Sequence, residues 1–361
     1  MPEDNIIINQ HYIYFPLFPD RKPYLTFSSS DDFTLAIYNS AKNWDGTIYY
    51  STDAENWSTW DGTTTLSSLD GKLYVRGSNN SKLNTAYVQG WFVLTPDSSN
   101  TINCSGNIEN LLDWETVEAG NHPVMADYCF YRLFLNCTAL TKAPDLPATT
   151  LSAKCYSNMF AGCTSLATAP RLPATTLAVS CYSGMFYNTA LQDPPALPAT
   201  TLAISCYDSM FKNCASLGVP PALPATTLAE SCYKEMFYGC SWLAYMPTLP
   251  ANLETTIVWP DYCYQKMFYG CIRLLILTPM QNRNATSISH GTSCFEGMFM
   301  NCSNVKVLQT PDPVGDYQNY LFTTFSSGNS WANNMFAGTG GTTTSIYNSN
   351  SCIYTSNQLG W

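Results

Sequence analysis

Fifteen cysteines in a 361-residue chain are the first place to look for chemistry, because a thiolate is a nucleophile, a metal ligand and half of a disulfide. Twelve of them stand in pairs eight residues apart: Cys129/Cys137, Cys155/Cys163, Cys206/Cys214, Cys232/Cys240, Cys263/Cys271 and Cys294/Cys302. Cys181 has Thr189 where its partner would be, and Cys104 and Cys352 lie outside the series. A reactive thiolate needs a base or a positive helix end, and access to substrate. Identical placement in successive units calls instead for stacking, so a cysteine protease is disfavoured and the thiols read as small buried hydrophobes. On a helix, eight residues span roughly 12 Å, too far for a bridge within a unit. Parallel side chains in adjacent units would hold their Cβ atoms beyond the preferred bridging range. Free thiols are therefore expected. There is no Cys-x-x-Cys, and none of the histidines, His11, His122 and His290, stands beside a consistent cysteine pair. No metal and no cofactor are expected.

Carboxylates are the other source of chemistry, since a glycosidase needs only two. Asp31, Asp32, Asp53, Glu55, Asp113, Glu115 and Glu118 have no distinctive spacing and read as surface residues. The segment Tyr50–Trp57 partly resembles the Asp-box turn of carbohydrate-active proteins, but Ala54 and Glu55 replace its glycines and Trp57 comes one place early. Trp57 and Trp60 would form a sugar-stacking platform if exposed together; a hairpin with both rings packed on a sheet is the plainer reading. The chain has no Gly-x-Ser-x-Gly elbow, phosphate loop, His-Glu-x-x-His or glycine-rich dinucleotide turn. A carbohydrate-active enzyme is the least favoured reading, and the expectation is a protein that is not an enzyme.

The elements that would position these residues are set by a repeated phrase. Its phenylalanine falls at Phe134, Phe160, Phe186, Phe211, Phe237, Phe268, Phe299 and Phe336, at steps of 25 to 37 residues. Such regularity predicts a solenoid, in which each unit buries its apolar face only by stacking on its neighbours. Cys155, Met159, Phe160 and Cys163 share one broad helical face, which predicts a short helix over about 153–162 ending at Gly162. Leu166 follows, and then prolines that confine any strand to about Leu166–Ala169. The same reading makes Met185, Phe186, Met210, Phe211, Cys214, Met236, Phe237, Cys240, Met267, Phe268, Cys271, Met298, Phe299 and Cys302 the structural core. Tyr207, in the first turn of its unit, is expected to be half covered, so that Phe211→Ala would destabilise far more than Tyr207→Ala.

The phrase Cys-Tyr-x-x-Met-Phe-x-Gly-Cys-x-Ser-Leu-x-x-Ala-Pro-x-Leu-Pro-Ala-Thr-Thr-Leu resembles BspA-like leucine-rich repeats, a divergent group in surface proteins of gut and oral anaerobes. Phe160 matches that family's buried Phe, Cys155 its upstream aliphatic, Cys163 its inward Cys/Asn position and Leu166 its following Leu. The resemblance covers roughly residues 125–340. It implies a fold of short helix plus short parallel strand per unit and a general association with adhesion, and it brings no catalytic residue.

Before the array, runs at Tyr12–Phe15, Phe33–Tyr38, Thr47–Ser51, Thr64–Leu66, Lys72–Arg76 and Tyr87–Leu94 read as strands, punctuated by Asp45-Gly46, Asp61-Gly62 and Asp70-Gly71. The expected fold class is a mainly β, sandwich-like N-terminal domain followed by an α/β leucine-rich-repeat solenoid. Its expected division is 1–100 sandwich-like, 101–126 linker and N-terminal cap, 127–340 about eight repeat units, and 341–361 C-terminal cap.

Charged residues make up 12% of the chain, about half the usual share, and the net charge is -10. No basic stripe is available for nucleic acid, and no apolar run is long enough for a membrane span. The opening Met-Pro-Glu-Asp-Asn-Ile-Ile-Ile lacks the positive start and apolar stretch of a secretory signal, which leaves the export route open. The extended solenoid, the neutral polar exterior and what the family resemblance implies point to a non-enzymatic recognition or adhesion protein at the cell surface or outside it, binding a protein or glycan. The alternative is a structural fibre or decoration protein of a phage virion or surface assembly. Longer loops at Leu249–Asp261, Thr278–Thr292 and Gln309–Ser330 interrupt the array, and Tyr317, Tyr320 and Phe322 in the last are candidate partner anchors beside Trp57 and Trp60.

Overall fold

The computed structural model describes residues 7–8, 11–12, 22–40, 42–84, 90–249, 256–274 and 287–304. Two short strands, β1 (Ile7–Ile8) and β2 (His11–Tyr12), pair antiparallel. The strands that follow are β3 (Leu25–Ser28), β4 (Phe33–Ile37), β5 (Thr47–Ser51), β6 (Ser58–Trp60), β7 (Leu66–Ser67), β8 (Lys72–Ser78), β9 (Phe92–Pro96) and β10 (Ile102–Ser105). After α1 (Asn110–Glu118) come β11 (Leu140–Lys142), β12 (Thr256–Trp259) and β13 (Ser287–His290). Runs of alternating apolar residues explain the sheet strands. Phe33, Leu35 and Ile37 of β4, and Leu73 and Val75 of β8, all turn inward and are buried.

These strands form a six-stranded sheet, β11-β10-β3-β8-β5-β6, and a three-stranded sheet, β7-β4-β9. The larger sheet is mixed, because β11 from the first repeat unit joins β10 in parallel while the remaining pairs are antiparallel. The expected fold class, a sandwich-like domain followed by an α/β leucine-rich-repeat solenoid, is thus overturned: a strand of the first repeat unit joins the N-terminal sheet, and one buried core runs from Leu25 to Cys302. Among the described residues α1 is the one α-helix, and it lies before the array. It is broken at Asp113 (φ -154, ψ 99), whose Oδ1 accepts the Glu115 and Thr116 N–H groups and so starts the second turn.

The repeated phrase does not form helices. Over 153–162 the chain makes successive turns, with Lys154, Asn158 and Gly162 at φ 55, 53 and 74. A left-handed residue every fourth place excludes an α-helix. The N–H groups of Cys155, Ser157, Met159 and Ala161 close turns onto carbonyls three residues back. Those of Tyr156, Asn158, Phe160 and Gly162 instead reach the Cys181, Ser183, Met185 and Tyr187 carbonyls of the next unit. The second half of each unit contributes little more than isolated parallel bridges, Thr150 to Thr176, Thr168 to Asp193 and Thr201 to Thr227. The proposed helix-plus-strand repeat is therefore replaced by stacked ribbons of turns, whose backbone donors are shared between a unit and its neighbour.

Stacking fixes the side chains in columns. Phe134, Phe160, Phe186, Phe211, Phe237, Phe268 and Phe299 lie nearly parallel, with centroids 5.4–5.8 Å apart. A second column runs Phe130, Tyr156, Tyr182, Tyr207, Tyr233, Tyr264, Phe295 at 5.6–5.9 Å. Tyr207 is only 1% exposed, so the half-covered expectation is wrong. With no helix to place the first turn at the rim, the ring goes into the core.

The cysteines form two further columns, and all fourteen described ones are free and buried. In the second, Cys163, Cys214, Cys240, Cys271 and Cys302 donate S–H at 2.9–3.1 Å to the carbonyls of Phe134, Phe186, Phe211, Phe237 and Phe268 in the preceding unit. Thr189 keeps this pattern in part: its Oγ1 donates to its own unit's Phe186 carbonyl at 3.0 Å and lies 3.2 Å from Cys214 Sγ. Burial pushes these thiols up, Cys214 to about 11 and Cys137 to about 12. Native protein at pH 8 should therefore leave the described cysteines unlabelled by a thiol reagent over minutes, and denaturation without reductant should release them all. Peptides bridged between consecutive units in mass spectra would contradict this.

Candidate recognition surface

Outside the columns, the turn ribbons present residues to solvent at fixed intervals. Tyr238 and Tyr269, in consecutive units, stack with centroids 4.4 Å apart. Lys212 Nζ sits 4.4 Å from the Tyr238 ring centroid and pairs with Glu235. Asn301 Nδ2 donates to the Tyr269 hydroxyl at 2.8 Å. Both faces of the Tyr238 ring are thus occupied, which removes it as a stacking platform for a sugar.

Around the corner of the same units lies a barer surface. Trp242 is 56% exposed, Val219 54%, Tyr245 52% and Ile272 48%. The Arg273 guanidinium lies over the Trp242 ring, 3.9 Å from its centroid. The neighbouring Leu243 and Leu274 are fully buried and pin this stretch. Ser241 Oγ and the Ala244 N–H donate to Ala215 and Gly218 carbonyls of the preceding unit. The exposed side chains stand on a backbone that is already fixed.

The structure does not bring Trp57 and Trp60 together. Trp60 is buried beside Trp44 and Phe92, its indole N–H donating to the Thr64 carbonyl at 2.9 Å. Trp57 is half-buried on the outer sheet face near Tyr24, and Arg76 is held between it and Trp114 at 4.0 and 4.1 Å. Tyr317, Tyr320 and Phe322 lie outside the described residues, as do most of their loop's neighbours and the expected C-terminal cap. The core set, from Cys155, Met159, Phe160, Cys163 and Leu166 through Cys302, is buried throughout.

Several of the carboxylates considered for acid–base work serve turns. Asp53 accepts hydrogen bonds from Asn56, Glu55 and Ser51, which hold it well below the usual carboxylate range. Asp32 is lowered by the Gly71 N–H and the Ser68 hydroxyl. Groups so strongly held as anions are poor proton donors at neutral pH. Sequence reading missed Glu109, which is 1% exposed and lies 2.8 Å from Nδ1 of the half-exposed His122. Burial raises the Glu109 carboxyl, while His122 and Asn107 lower it in part. Nothing in local spacing marks this pair, since His122 comes thirteen residues later.

A raised carboxyl has a definite sign: the native state holds its proton more tightly, so stability falls as pH rises from the unfolded value through the folded one. His122→Ala removes the partner that opposes this. It should lower stability at pH 7 by about 1–3 kcal/mol, with the difference from wild type vanishing below pH 4. Denaturant titrations of both proteins at several pH values check this; a loss that persists unchanged at low pH would point to lost packing.

Among the described residues, no group of three or more His, Cys, Asp and Glu side chains is placed to hold a metal ion, and no helix is long and apolar enough to cross a membrane. No protein-family model, curated protein or solved structure matches the chain. The resemblance to BspA-like leucine-rich repeats therefore finds no support from any relative, and the turn ribbons contradict the fold it implied.

Proposed function

We propose that this protein is a non-catalytic recognition or adhesion protein that holds a protein or glycan partner at a cell surface. The observation that carries this reading is the patch of large side chains left in water on a rigid stack: Val219, Trp242, Tyr245 and Ile272, with Arg273 on the indole. Folding gains nothing from exposing them; the Ala244 to Gly218 backbone bond sets the Tyr245 and Val219 stretches side by side in neighbouring units, and clustered apolar exposure marks interaction sites. Tryptophan, tyrosine and arginine are the residue types that dominate binding energy at interfaces. The stacked columns underneath supply preorganisation, which lowers the entropic cost of docking. The carboxylates held in turns and the deeply buried thiols supply neither a general acid nor an accessible nucleophile.

An unbiased screen of the full chain against glycans and extracellular-matrix proteins tests this reading. A partner should be found whose binding weakens in a Trp242→Ser/Tyr245→Ser variant, with the unfolding transition unchanged. Absence of binding in both formats would remove the reading.

A further inference from the structure

Resting on the recognition reading above, we infer that Trp242, Tyr245, Ile272 and Arg273, with Val219 beside them, form a docking site for a protein segment that carries a carboxylate among apolar side chains. The charge of the partner follows from Arg273. Stacking on Trp242 occupies a face of the guanidinium and leaves its N–H edge to donate, in the planar fork that suits a carboxylate. Two of the other ring-stacked cations among the described residues have carboxylates nearby. Lys212, on Tyr238, pairs with Glu235, and Arg76, between two tryptophans, lies in the field of Glu115 and Glu118. The two ion pairs among the described residues are His122–Glu109 and Lys212–Glu235, and Arg273 belongs to neither. A cation fixed on an exposed ring favours an anionic partner at that point.

The apolar part follows from what surrounds the cation. Val219 and Ile272 are aliphatic, and each leaves about half of its surface in water. A glycan site needs ring faces and polar donors and has no use for such flanking aliphatics, whereas a peptide's Leu, Ile or Phe side chains would cover them. Trp242 and Arg273 lie one above the other in consecutive units, and Tyr245 lies three residues beyond Trp242 along the same unit. The site therefore offers one charged anchor beside apolar ones, on a backbone that does not have to order itself.

A library of random dodecapeptides displayed on phage and panned against the full chain tests the assignment. Enriched sequences should place Asp or Glu next to Leu, Ile, Phe or Trp. A synthetic peptide from the leading clone should bind Arg273→Gln and Trp242→Ala about tenfold or more weakly than wild type. Changing the peptide's carboxylate to its amide should weaken binding to wild type and not weaken binding to Arg273→Gln further. Both protein variants change exposed side chains, and an unchanged unfolding midpoint confirms that they fold. Four outcomes overturn the assignment: no acidic-apolar enrichment; enriched peptides indifferent to both variants; uronate oligosaccharides binding this patch where the peptides do not; or a self-associated wild type that Trp242→Ala turns into monomer. Peptides or glycans bound elsewhere would leave the recognition reading standing and remove this site alone, whereas a chain that binds nothing in any screen loses both.

Discussion

Tyr207→Ala will lower the free energy of unfolding about as much as Phe211→Ala, by roughly 3–5 kcal/mol each. Both rings are buried, at 1% and 0% exposure, and each stacks between two others, Tyr207 against Tyr182 and Tyr233, Phe211 against Phe186 and Phe237. Truncation leaves a cavity lined by rings that the ladder prevents from closing in. The two sites part company in a gentler substitution. The Tyr207 hydroxyl is buried without a hydrogen-bond partner, as are those of Tyr156 and Tyr264. Removing such a group relieves its desolvation, so Tyr207→Phe should be neutral or stabilising by about 1 kcal/mol. Among the described residues the column begins with Phe130 and reaches Phe295, which shows that the ring alone satisfies the stack. Urea titrations of the three variants decide the matter. A large loss in Tyr207→Phe would mean that the hydroxyl is bonded in solution.

Gly162→Val will cost at least about 2 kcal/mol, because it places a β-branched residue in the left-handed region. Its φ is 74, and a Cβ built there would fall inside the van der Waals shell of Asn136 Oδ1 in the preceding unit. The corresponding residues of the other units are Asn136, Asn188, Asn213, Gly239, Gly270 and Asn301, each at φ between 55 and 72. Asparagine tolerates this conformation and glycine adopts it freely. Asn188→Gly should therefore change stability by about 0.5 kcal/mol or less. If both substitutions in this column cost the same, the turn geometry is not what selects these residues.

That column carried the signal by which the helices could have been refused from sequence. Cys155, Met159 and Cys163 recur at intervals of four. On an α-helix, eight residues at 100° each overshoot two turns by roughly 80°, whereas a ribbon that turns every fourth residue returns all three to one side. Over a short unit the two periods look alike, and Gly162 was readable as a helix terminator. Its replacement by asparagine in four units of the same column separates the two readings. The inward Cys, Met, Phe and Leu positions were legible in either case, because they recur, whereas the tyrosine column was not, since an assumed helix placed its rings at the rim. Strands at Phe33, Thr47 and Lys72 were equally plain from alternation, while β3 and β10, short and flanked by polar residues, were not.

The recognition surface was less legible. Trp242 and Arg273 lie 31 residues apart, and only the stacking of units of unequal length brings the guanidinium over the indole. Trp57 and Trp60 illustrate the converse. Their residue type suggested a shared platform, but residue type does not say which face of a sheet a ring takes, and Trp60 went inward.

The ladder of bonds between units has a direction, and that direction governs how the array can end. Each unit passes backbone N–H groups toward the C-terminus and sulfhydryls toward the N-terminus, as Tyr156 N–H to Cys181 and Cys163 Sγ to Phe134 illustrate. At the front, Leu83 N–H, Asn84 Nδ2 and Phe92 N–H take up the Cys129, Tyr131 and Leu133 carbonyls of the first unit. Cys137 in turn donates its S–H to the Phe92 carbonyl. The N-terminal sheets thus offer the first ribbon the same kind of bonding edge, donated N–H groups and an accepting carbonyl, that each ribbon offers the next. A chain cut between two units would bare donors on one fragment and acceptors on the other, at matching spacing. Such ends are complementary without being identical, and a head-to-tail contact that does not close into a ring grows into a filament. A cut at an interior boundary would therefore bare edges of the kind from which filaments grow.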